Sequence, residues 1–353
     1  EEYHREPFAA DVSEGKNDPI YTAHSYHTKV PHKAIMRYIL HYTEPGDIVF
    51  DGFCGTGMTG VAAQLCGDRK VVESLGYQVK DDGIILDEEG KAFSKLGARK
   101  AILNDLSPAA TFIAANYNSP VDLVEFEREA KRILEEVEEE CGWMYETLHT
   151  DGKTKGKINF TVWSDVFVCP HCMKDFVFWE AAVDREKGMV LDEFQCPYCE
   201  ALLTKRSIER VYLFLKDDDY KDHNMANEST AYNNHCALDT QSDCLVKIAK
   251  QVPVLISYTV GSKSFEKRPD NLDIQIIEKI NSVKPFYWYP ANELPEGYNT
   301  NQPIRSHGFS RIHHFYTNRN LISLSLLNSL AVPHQMKFML TGLLNRATKL
   351  NQL

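Results

Sequence analysis

The feature that most constrains this fold is a glycine-rich stretch between an apolar run and a run of small residues. Residues 47–51 (Asp-Ile-Val-Phe-Asp) have the length and composition of a buried strand. Gly52 to Gly60 follow, and residues 59–66 are typical of a small-residue helix. Because glycines here let the backbone approach a ligand, and a helix N-terminus offers free N–H groups, the pattern predicts a nucleotide-like cofactor site.

The loop differs from two common nucleotide-binding loops. No Lys-Ser or Lys-Thr pair follows its glycines, which excludes a P-loop. Gly55 and Gly57 form G-x-G, but Gly60 fits the third glycine of a dinucleotide fingerprint only loosely. Asp51 at the strand end has no role in binding a pyrophosphate. The sequence therefore departs from both patterns.

Regular elements are expected on either side of this loop. Pro31 precedes an amphipathic helix over residues 32–42, and residues 100–103 form a second buried strand that ends at Asn104-Asp105. A long acidic helix with an apolar stripe that includes Leu134 begins after Asp122, which forms a capping box with Glu125. The other expected elements are a hairpin with its turn at 81–83 inside an insertion at 67–98, and helices over 108–116, 271–280, 317–330 and 335–350.

The pattern changes to short strands between about residues 151 and 269. Residues 176–179 and 189–194 are expected to pair across a turn at 185–188, and residues 254–260 form another strand. Residues 217–243 are polar and without periodicity, which favours a loop. The sequence therefore predicts a β-rich module inserted between helical parts.

Four cysteines within this module have the spacing of metal ligands. Cys169 and Cys172 form one C-x-x-C pair, Cys196 and Cys199 form another, and 23 residues separate the pairs. This pattern predicts a zinc ribbon. Because four thiolates leave no open position for water, the zinc is structural. His171 lies beside the ligands rather than among them, and Cys236 and Cys244 are weak candidates for further metal.

Charge and composition limit the class of protein. Residues 301–353 contain six Lys or Arg and no Asp or Glu, which leaves −17 for residues 1–300. Either a basic surface for a polyanion or a helix pair that docks on the acidic part explains this segregation. No apolar run approaches the ~18 residues of a membrane span, and no signal peptide is evident. An odd nine cysteines favour reduced thiols, so we expect a cytoplasmic protein without a membrane partner.

Residues 51–60 (Asp-Gly-Phe-Cys-Gly-Thr-Gly-Met-Thr-Gly) resemble the D-x-F-x-G-x-G loop of S-adenosylmethionine-dependent DNA amino-methyltransferases, which methylate adenine N6 or cytosine N4. Residues 24–31 resemble the T-x-K-P-like segment that these enzymes place before the loop. The resemblance covers residues 20–120, and more loosely 313–351. It implies an α/β, Rossmann-like methyltransferase fold, here with an inserted β-rich zinc-ribbon module and an incomplete sheet.

The resemblance also implies residue roles. Phe53, Gly55 and Gly57 would surround the methionine and adenosine of the cofactor. Asp105 would accept hydrogen bonds from the ribose hydroxyls, a task that suits a carboxylate, although a helix cap is an alternative role. Tyr26, His27 and Lys29 are equally well explained as solvated loop residues. The residues expected to contact the cofactor are Thr28, Lys29, Asp51, Phe53, Cys54, Gly55, Thr56, Gly57, Thr59, Asp105 and Leu106.

The base-binding motif of these enzymes, [DNS]-P-P-[YFW], is missing, since the sequence contains no Pro-Pro pair. Residues 18–21 (Asp-Pro-Ile-Tyr) come close, but they lie too near the T-x-K-P-like segment and are interpreted as an anchor of the N-terminal arm. Residues 285–290 form an aromatic cluster that either packs internally or stacks on bases. We therefore assign no catalytic residue.

Together these features predict three segments and one function. Residues 1–150 hold the cofactor, 151–270 form the zinc module, and 271–353 are a basic helical segment. The expected function is site-specific DNA methylation, with adenine N6 as the favoured target and with the base-binding half in a downstream segment or a partner chain. An RNA or other methyltransferase, and a non-catalytic nucleic-acid or protein-binding module with a vestigial cofactor site, are the alternatives.

Overall fold

The computed structural model describes residues 5–26, 28–216 and 245–349. His27, the expected loop at 217–243, Cys236 and Cys244 lie outside these residues. The chain divides into two compact units. Unit 1 contains the residues up to Ile133 together with Ala331–Asn345, and unit 2 contains Leu134–Leu330 and the residues from Arg346 onward. The three segments expected from the sequence stay a prediction.

Both helices and strands form within the described residues. The helices are α1 (Pro19–Thr22), α2 (His32–Tyr42), α3 (Met58–Leu65), α4 (Arg69–Glu73), α5 (Pro108–Asn118), α6 (Leu123–Cys141), α7 (Phe178–Ala182), α8 (Asn271–Ser282), α9 (Tyr298–His307), α10 (Asn318–Leu330) and α11 (His334–Leu344). The strands are β1 (Ile48–Asp51), β2 (Gln78–Val79), β3 (Ile84–Leu86), β4 (Ala92–Lys95), β5 (Lys100–Leu103), β6 (Glu146–Leu148), β7 (Lys155–Val168), β8 (Asp175–Val177), β9 (Val183–Asp184), β10 (Met189–Val190), β11 (Glu193–Gln195), β12 (Leu202–Thr204), β13 (Glu209–Arg210), β14 (Tyr212–Lys216), β15 (Leu245–Ala249), β16 (Gln251–Val260) and β17 (Lys263–Lys267).

The sheet of unit 1 that carries the glycine loop is parallel. Strands β1 and β5 pair in register, so that the ends of both strands lie at the same edge. Val49 on one face packs against a core built from α2, α3 and the β2–β4 sheet. The opposite face exposes Ile48, Phe50 and Ile102, each more than half exposed. Because parallel sheets are normally covered on both faces, this apolar face lacks the cover that such a sheet requires.

The insertion between the two strands is a small antiparallel sheet. Strands β2 and β3 form the hairpin expected around residues 81–83, and β4 adds a third strand that the sequence analysis did not predict. Ile85 in the central strand is fully buried. This sheet accounts for the long separation between the glycine loop and Asp105.

In unit 2 a single long strand organises the sheet. The 14 residues of β7 pair with β6, β8, β13 and β16, and β16 pairs with β17. The expected pairing of residues 176–179 with 189–194 is wrong. Residues 175–177 pair with β7 instead, and residues 178–182 turn into α7, so the turn at 185–188 joins only the two-residue strands β9 and β10.

Several helix predictions need correction. Leu134, expected in the buried stripe of α6, is 53% exposed, whereas the adjacent Ile133 is fully buried. The helix expected over 335–350 ends at Leu344 in a 3₁₀ turn. Helix α9 was not predicted, because its polar sequence includes Pro303, which usually signals a helix end. Among the described residues, no helix is long and apolar enough to cross a membrane.

Candidate cofactor loop and metal centre

The glycine loop connects the end of β1 to the start of α3 and is held by the carboxylate of Asp51. That carboxylate accepts hydrogen bonds from the Phe53 N–H (3.2 Å) and the Thr59 hydroxyl (2.6 Å). Gly55 and Gly57 adopt φ angles of +51° and +76°, in the left-handed region that favours glycine. The geometry thus gives Asp51 and Thr59 the task of fixing the loop.

Asp105, at the end of β5, is bonded directly to the glycine loop. Its carboxylate accepts hydrogen bonds from the backbone N–H groups of Ser107 and Gly55, both at 2.9 Å. These two bonds lower the pKa of Asp105 below its usual value. The cap of α5 is Ser107, whose hydroxyl accepts from the Ala110 N–H. Asp105 therefore joins the two strand ends rather than capping the helix.

The glycines differ in what surrounds them. A Cβ at Gly57 would lie 2.7 Å from the Ala114 Cβ and 2.9 Å from the Ala114 Cα. A Cβ at Gly60 would meet the Asn118 side chain and lie 2.9 Å from Leu103. A Cβ at Gly55 would meet only the Tyr26 ring, at 3.5 Å. Gly57 and Gly60 thus permit α3 to pack closely, whereas Gly55 is required chiefly by its left-handed φ.

Asn118 has a role at the loop that the sequence did not predict. Its side-chain N–H group donates to the Gly57 carbonyl (3.1 Å) and its carbonyl accepts from Gln64 (3.0 Å), so it clamps the base of α3. A lone amide near the end of an apolar helix carries no sequence signal for this role. Only the pairing of α3 with α5 reveals it.

Apolar and polar groups at the loop remain available to a ligand. Phe53 is 83% exposed and Leu106 is 88% exposed, and each follows one of the two strand ends. Thr56 is buried, yet its hydroxyl has no hydrogen-bond partner in the described part of the chain. Cys54 is buried beneath the loop, with its thiol pKa raised by burial. The exposed apolar side chains at the two strand ends, together with the Asp105 carboxylate, suit a ligand with a flat ring and a diol.

The segment before α2 reaches this loop through Tyr26, the neighbour of Gly55. Thr28 has an unusual φ of +61° for a β-branched residue and is exposed. The Lys29 ammonium donates to the carbonyls of Tyr21 and His24 and lies 4.5 Å from the centre of the Tyr21 ring. Burial lowers the pKa of Lys29. Its charge thus serves to fold this segment.

The Asp18 carboxylate is already bound by neighbouring groups of the N-terminal arm and α2. Its carboxylate accepts from the Ile20 N–H at 2.9 Å, capping α1, and lies 3.3 Å from the Lys33 ammonium. The hydroxyl of Tyr117 donates to the Ile20 carbonyl at 3.1 Å. These contacts fit the interpretation of residues 18–21 as an anchor.

The second site lies in unit 2, where four sulfurs converge. The Sγ atoms of Cys169 and Cys199 are 3.7 Å apart, and those of Cys172 and Cys196 are 3.8 Å apart. All four lie within 4.8 Å of one another. Four thiolates bound tetrahedrally at about 2.3 Å from a zinc ion are about 3.8 Å apart. The cluster can therefore hold a metal ion with little rearrangement.

The two cysteine pairs have the same backbone geometry. In each pair, the residue after the second cysteine has a left-handed backbone conformation, with φ of +56° at Met173 and +61° at Glu200. The N–H of each of these residues donates to the carbonyl of the first cysteine, Cys169 or Cys196. Burial opposes ionisation of Cys169, but the backbone N–H groups of Cys172 and His171 and the neighbouring thiols lower its pKa, whereas the other three thiols raise the pKa of Cys199. The backbone is thus arranged to favour thiolate ligands.

A small apolar core supports the metal cluster. Phe167, Phe176, Phe194 and Leu203 are each at most 3% exposed and pack around Cys169 and Cys196. These residues come from β7, β8, β11 and β12. The cluster therefore lies where the β7–β8 pair and the β11–β12 pair meet in one apolar core.

The glycine loop, the parallel strand pair and the carboxylate at the second strand end lie together, which is the arrangement that the predicted nucleotide-type cofactor site requires. A family model described as DNA methylase, that of the N6/N4 methyltransferases, matches residues 6–98. This segment spans about a quarter of the chain and includes the glycine loop. The match supports a DNA methyltransferase in general. Comparisons with curated proteins and with solved structures gave no match.

Proposed function

We propose that this chain binds S-adenosylmethionine at the glycine loop and serves a DNA amino-methyltransferase, with adenine N6 as the favoured target. One observation carries the proposal: the DNA methylase match contains the loop, and the Gly55 N–H in that loop is bonded to Asp105 at 2.9 Å. Other methyltransferase substrates, RNA among them, remain the alternative within enzymes.

The residues at the two strand ends have complementary tasks in this proposal. Asp105 retains lone pairs beyond its two backbone bonds, so it accepts hydrogen bonds from the ribose diol. The exposed rings and methyl groups of Phe53 and Leu106 cover the adenine. Gly55 leaves room for the methionine part. The bound cofactor supplies an electrophilic methyl group on a sulfonium.

We further propose that the base-binding half of the enzyme is not among these 353 residues. The sequence has no Pro-Pro pair. The uncovered apolar face at Ile48, Phe50 and Ile102 supports completion of the sheet by a downstream segment or a partner chain. DNA is the substrate partner in this proposal.

The metal cluster is proposed to hold one structural Zn²⁺. The four sulfur positions and the paired N–H groups support this choice, since zinc favours tetrahedral thiolates. Its role is to fold the module around Phe176 and Phe194 rather than to take part in transfer.

Calorimetry with S-adenosylmethionine tests the cofactor assignment. Asp105→Ala is expected to weaken binding by roughly 5- to 150-fold, because a buried diol loses its acceptor. Asp81→Ala, in the exposed turn of the insertion, is the matched control and should bind as the parent chain does. Unchanged affinity in Asp105→Ala, with the fold intact by circular dichroism, would contradict the assignment.

The same protein distinguishes the non-catalytic alternative. If the chain is a binding module with a vestigial cofactor site, it will retain DNA in gel-shift assays while showing no calorimetric signal with S-adenosylmethionine. If it is an RNA enzyme, tritiated cofactor with the completed enzyme will label RNA in preference to DNA.

A further inference from the structure

Unit 2 contains a cavity of about 570 Å³ that shares no lining residue with the glycine loop or the metal cluster. One wall is the stretch of β7 from Ile158 to Trp163. The opposite wall comes from the end of α8, the start of α10 and the residues after α11. Its volume lies in the range of small-molecule and nucleotide pockets, about 300–1,000 Å³.

The described lining of this cavity is positively charged. Arg319, Arg346 and Lys349 contribute three cations, and no carboxylate is among the described lining residues. No described carboxylate forms an ion pair with any of the three. In a chain with a net charge of −11, three cations in one cavity that form no ion pair with a described carboxylate favour an anionic ligand.

Two of these cations are partly withdrawn from water. The Arg319 guanidinium lies 5.4 Å from the centre of the Tyr145 ring, and the Lys349 ammonium lies 5.2 Å from the centre of the Phe309 ring. Burial lowers the pKa of both groups, that of Lys349 to about 8. Each therefore gains from an anion placed beside it.

Two further features favour an anion. Helix α10, 13 residues long, begins at Asn318, and its first turn lines the cavity. The positive end of the helix dipole therefore faces the same space. On the β7 wall, Thr161 is 7% exposed and its hydroxyl has no hydrogen-bond partner among the described residues.

Aromatic rings complete the lining. Tyr145, Phe160 and Trp163 contribute to the walls, and the Tyr145 hydroxyl donates to Asn320 (3.2 Å) or Ser323 (3.1 Å). Rings of this kind stack on nucleic-acid bases, and each such contact strengthens binding without specifying the base.

We propose that this cavity binds a nucleotide unit, with its phosphate held by Arg319, Arg346 and Lys349 and its base against the aromatic wall. Guanidinium and ammonium groups beside a helix N-terminus are the usual partners of phosphate. The nucleotide is either free or part of a single DNA strand, and both sources present the same chemistry. The site is independent of the cofactor loop.

Binding is measured by calorimetry on the whole chain without S-adenosylmethionine, using pyrophosphate, ATP and a single-stranded DNA 12-mer as probes. Lys349→Gln and Arg346→Gln are each expected to weaken binding by roughly tenfold or more, because each removes a charged hydrogen bond to phosphate. Lys349→Arg keeps the charge and should retain most of the affinity. Lys263→Gln, an exposed lysine elsewhere in unit 2, is the control.

The outcomes distinguish a free nucleotide from a DNA strand, and they distinguish this proposal from the one for the cofactor loop. Binding of ATP without the 12-mer supports a free nucleotide, and binding of the 12-mer that pyrophosphate competes away supports a DNA strand. If none of the probes binds, or if Lys349→Gln and Lys263→Gln bind equally well, the proposal is overturned. Asp105→Ala should leave this binding unchanged, so failure at the cofactor loop is recognised separately.

Discussion

Gly55 and Gly57 lie two residues apart, yet replacing each with alanine should have different consequences. At Gly57, the left-handed φ of +76° costs alanine about 1–2 kcal/mol. The contact of 2.7 Å with Ala114 adds an overpacking cost of about 1–3 kcal/mol. The sum is roughly 2–5 kcal/mol. At Gly55 only the backbone cost applies, because the nearest atom is at an ordinary 3.5 Å.

Thermal unfolding and calorimetry together test this difference. Each kcal/mol lowers the melting temperature of a unit of this size by about 2–4 °C, so Gly57→Ala should lower it by roughly 4–20 °C and Gly55→Ala by roughly 2–8 °C. Gly55→Ala should also weaken S-adenosylmethionine binding by about tenfold or more, since strain at the left-handed Gly55 shifts the loop backbone and its N–H bond to Asp105. Equal melting temperatures for the two variants would refute the reasoning, and so would full cofactor affinity in Gly55→Ala.

Three other predictions concern the metal, the carboxylate and the reaction. Native mass spectrometry should find one zinc per chain, and Cys196→Ser should lose it and destabilise unit 2 while cofactor affinity stays nearly intact; a fully folded metal-free protein would count against the site. Because its pKa is lowered, Asp105 stays ionised down to a pH below its ordinary pKa, so cofactor affinity should not fall with acidity between about pH 7 and pH 5. A decline in affinity over that range would show that another group controls binding. The chain alone should bind cofactor without methylating DNA, because positioning of the nucleophile supplies about 7–11 kcal/mol in favourable cases, and robust incorporation of tritium would falsify this.

Local patterns in the sequence predicted the elements around the cofactor loop. Helix α2 and strand β5 have the expected bounds, because apolar periodicity and the flanking Pro31 and Asn104 act within a few residues. Strand pairing is harder to predict from the sequence, since the partner of a strand depends on residues far away in the chain. The sequence does not predict the 14-residue strand β7. Residues 175–177 pair with β7 rather than with residues 189–194.

The metal cluster and the cavity differ in how far the sequence predicts them. Four cysteines in two C-x-x-C pairs contain the whole ligand set, so the cluster was predictable from spacing, and the four sulfurs do converge. The cavity in unit 2 draws its residues from segments between Tyr145 and Lys349 that have no shared motif. Its lining depends on how these segments fold together. No sequence pattern could have placed Arg319 beside Tyr145.

The segregation of basic residues in the last part of the chain had two explanations, an outward basic surface or a helix pair that docks on acidic residues. Within unit 2, Arg319, Arg346 and Lys349 converge on one cavity. Arg311 is buried and pairs with Glu293 at 3.2 Å while donating to the Ala291 carbonyl. Four of the six basic residues in 301–353 therefore line the cavity or form contacts within unit 2. Because a duplex is bound through charges distributed along its backbone, a cluster within one cavity suits a single phosphate or a short strand better than the side of a double helix.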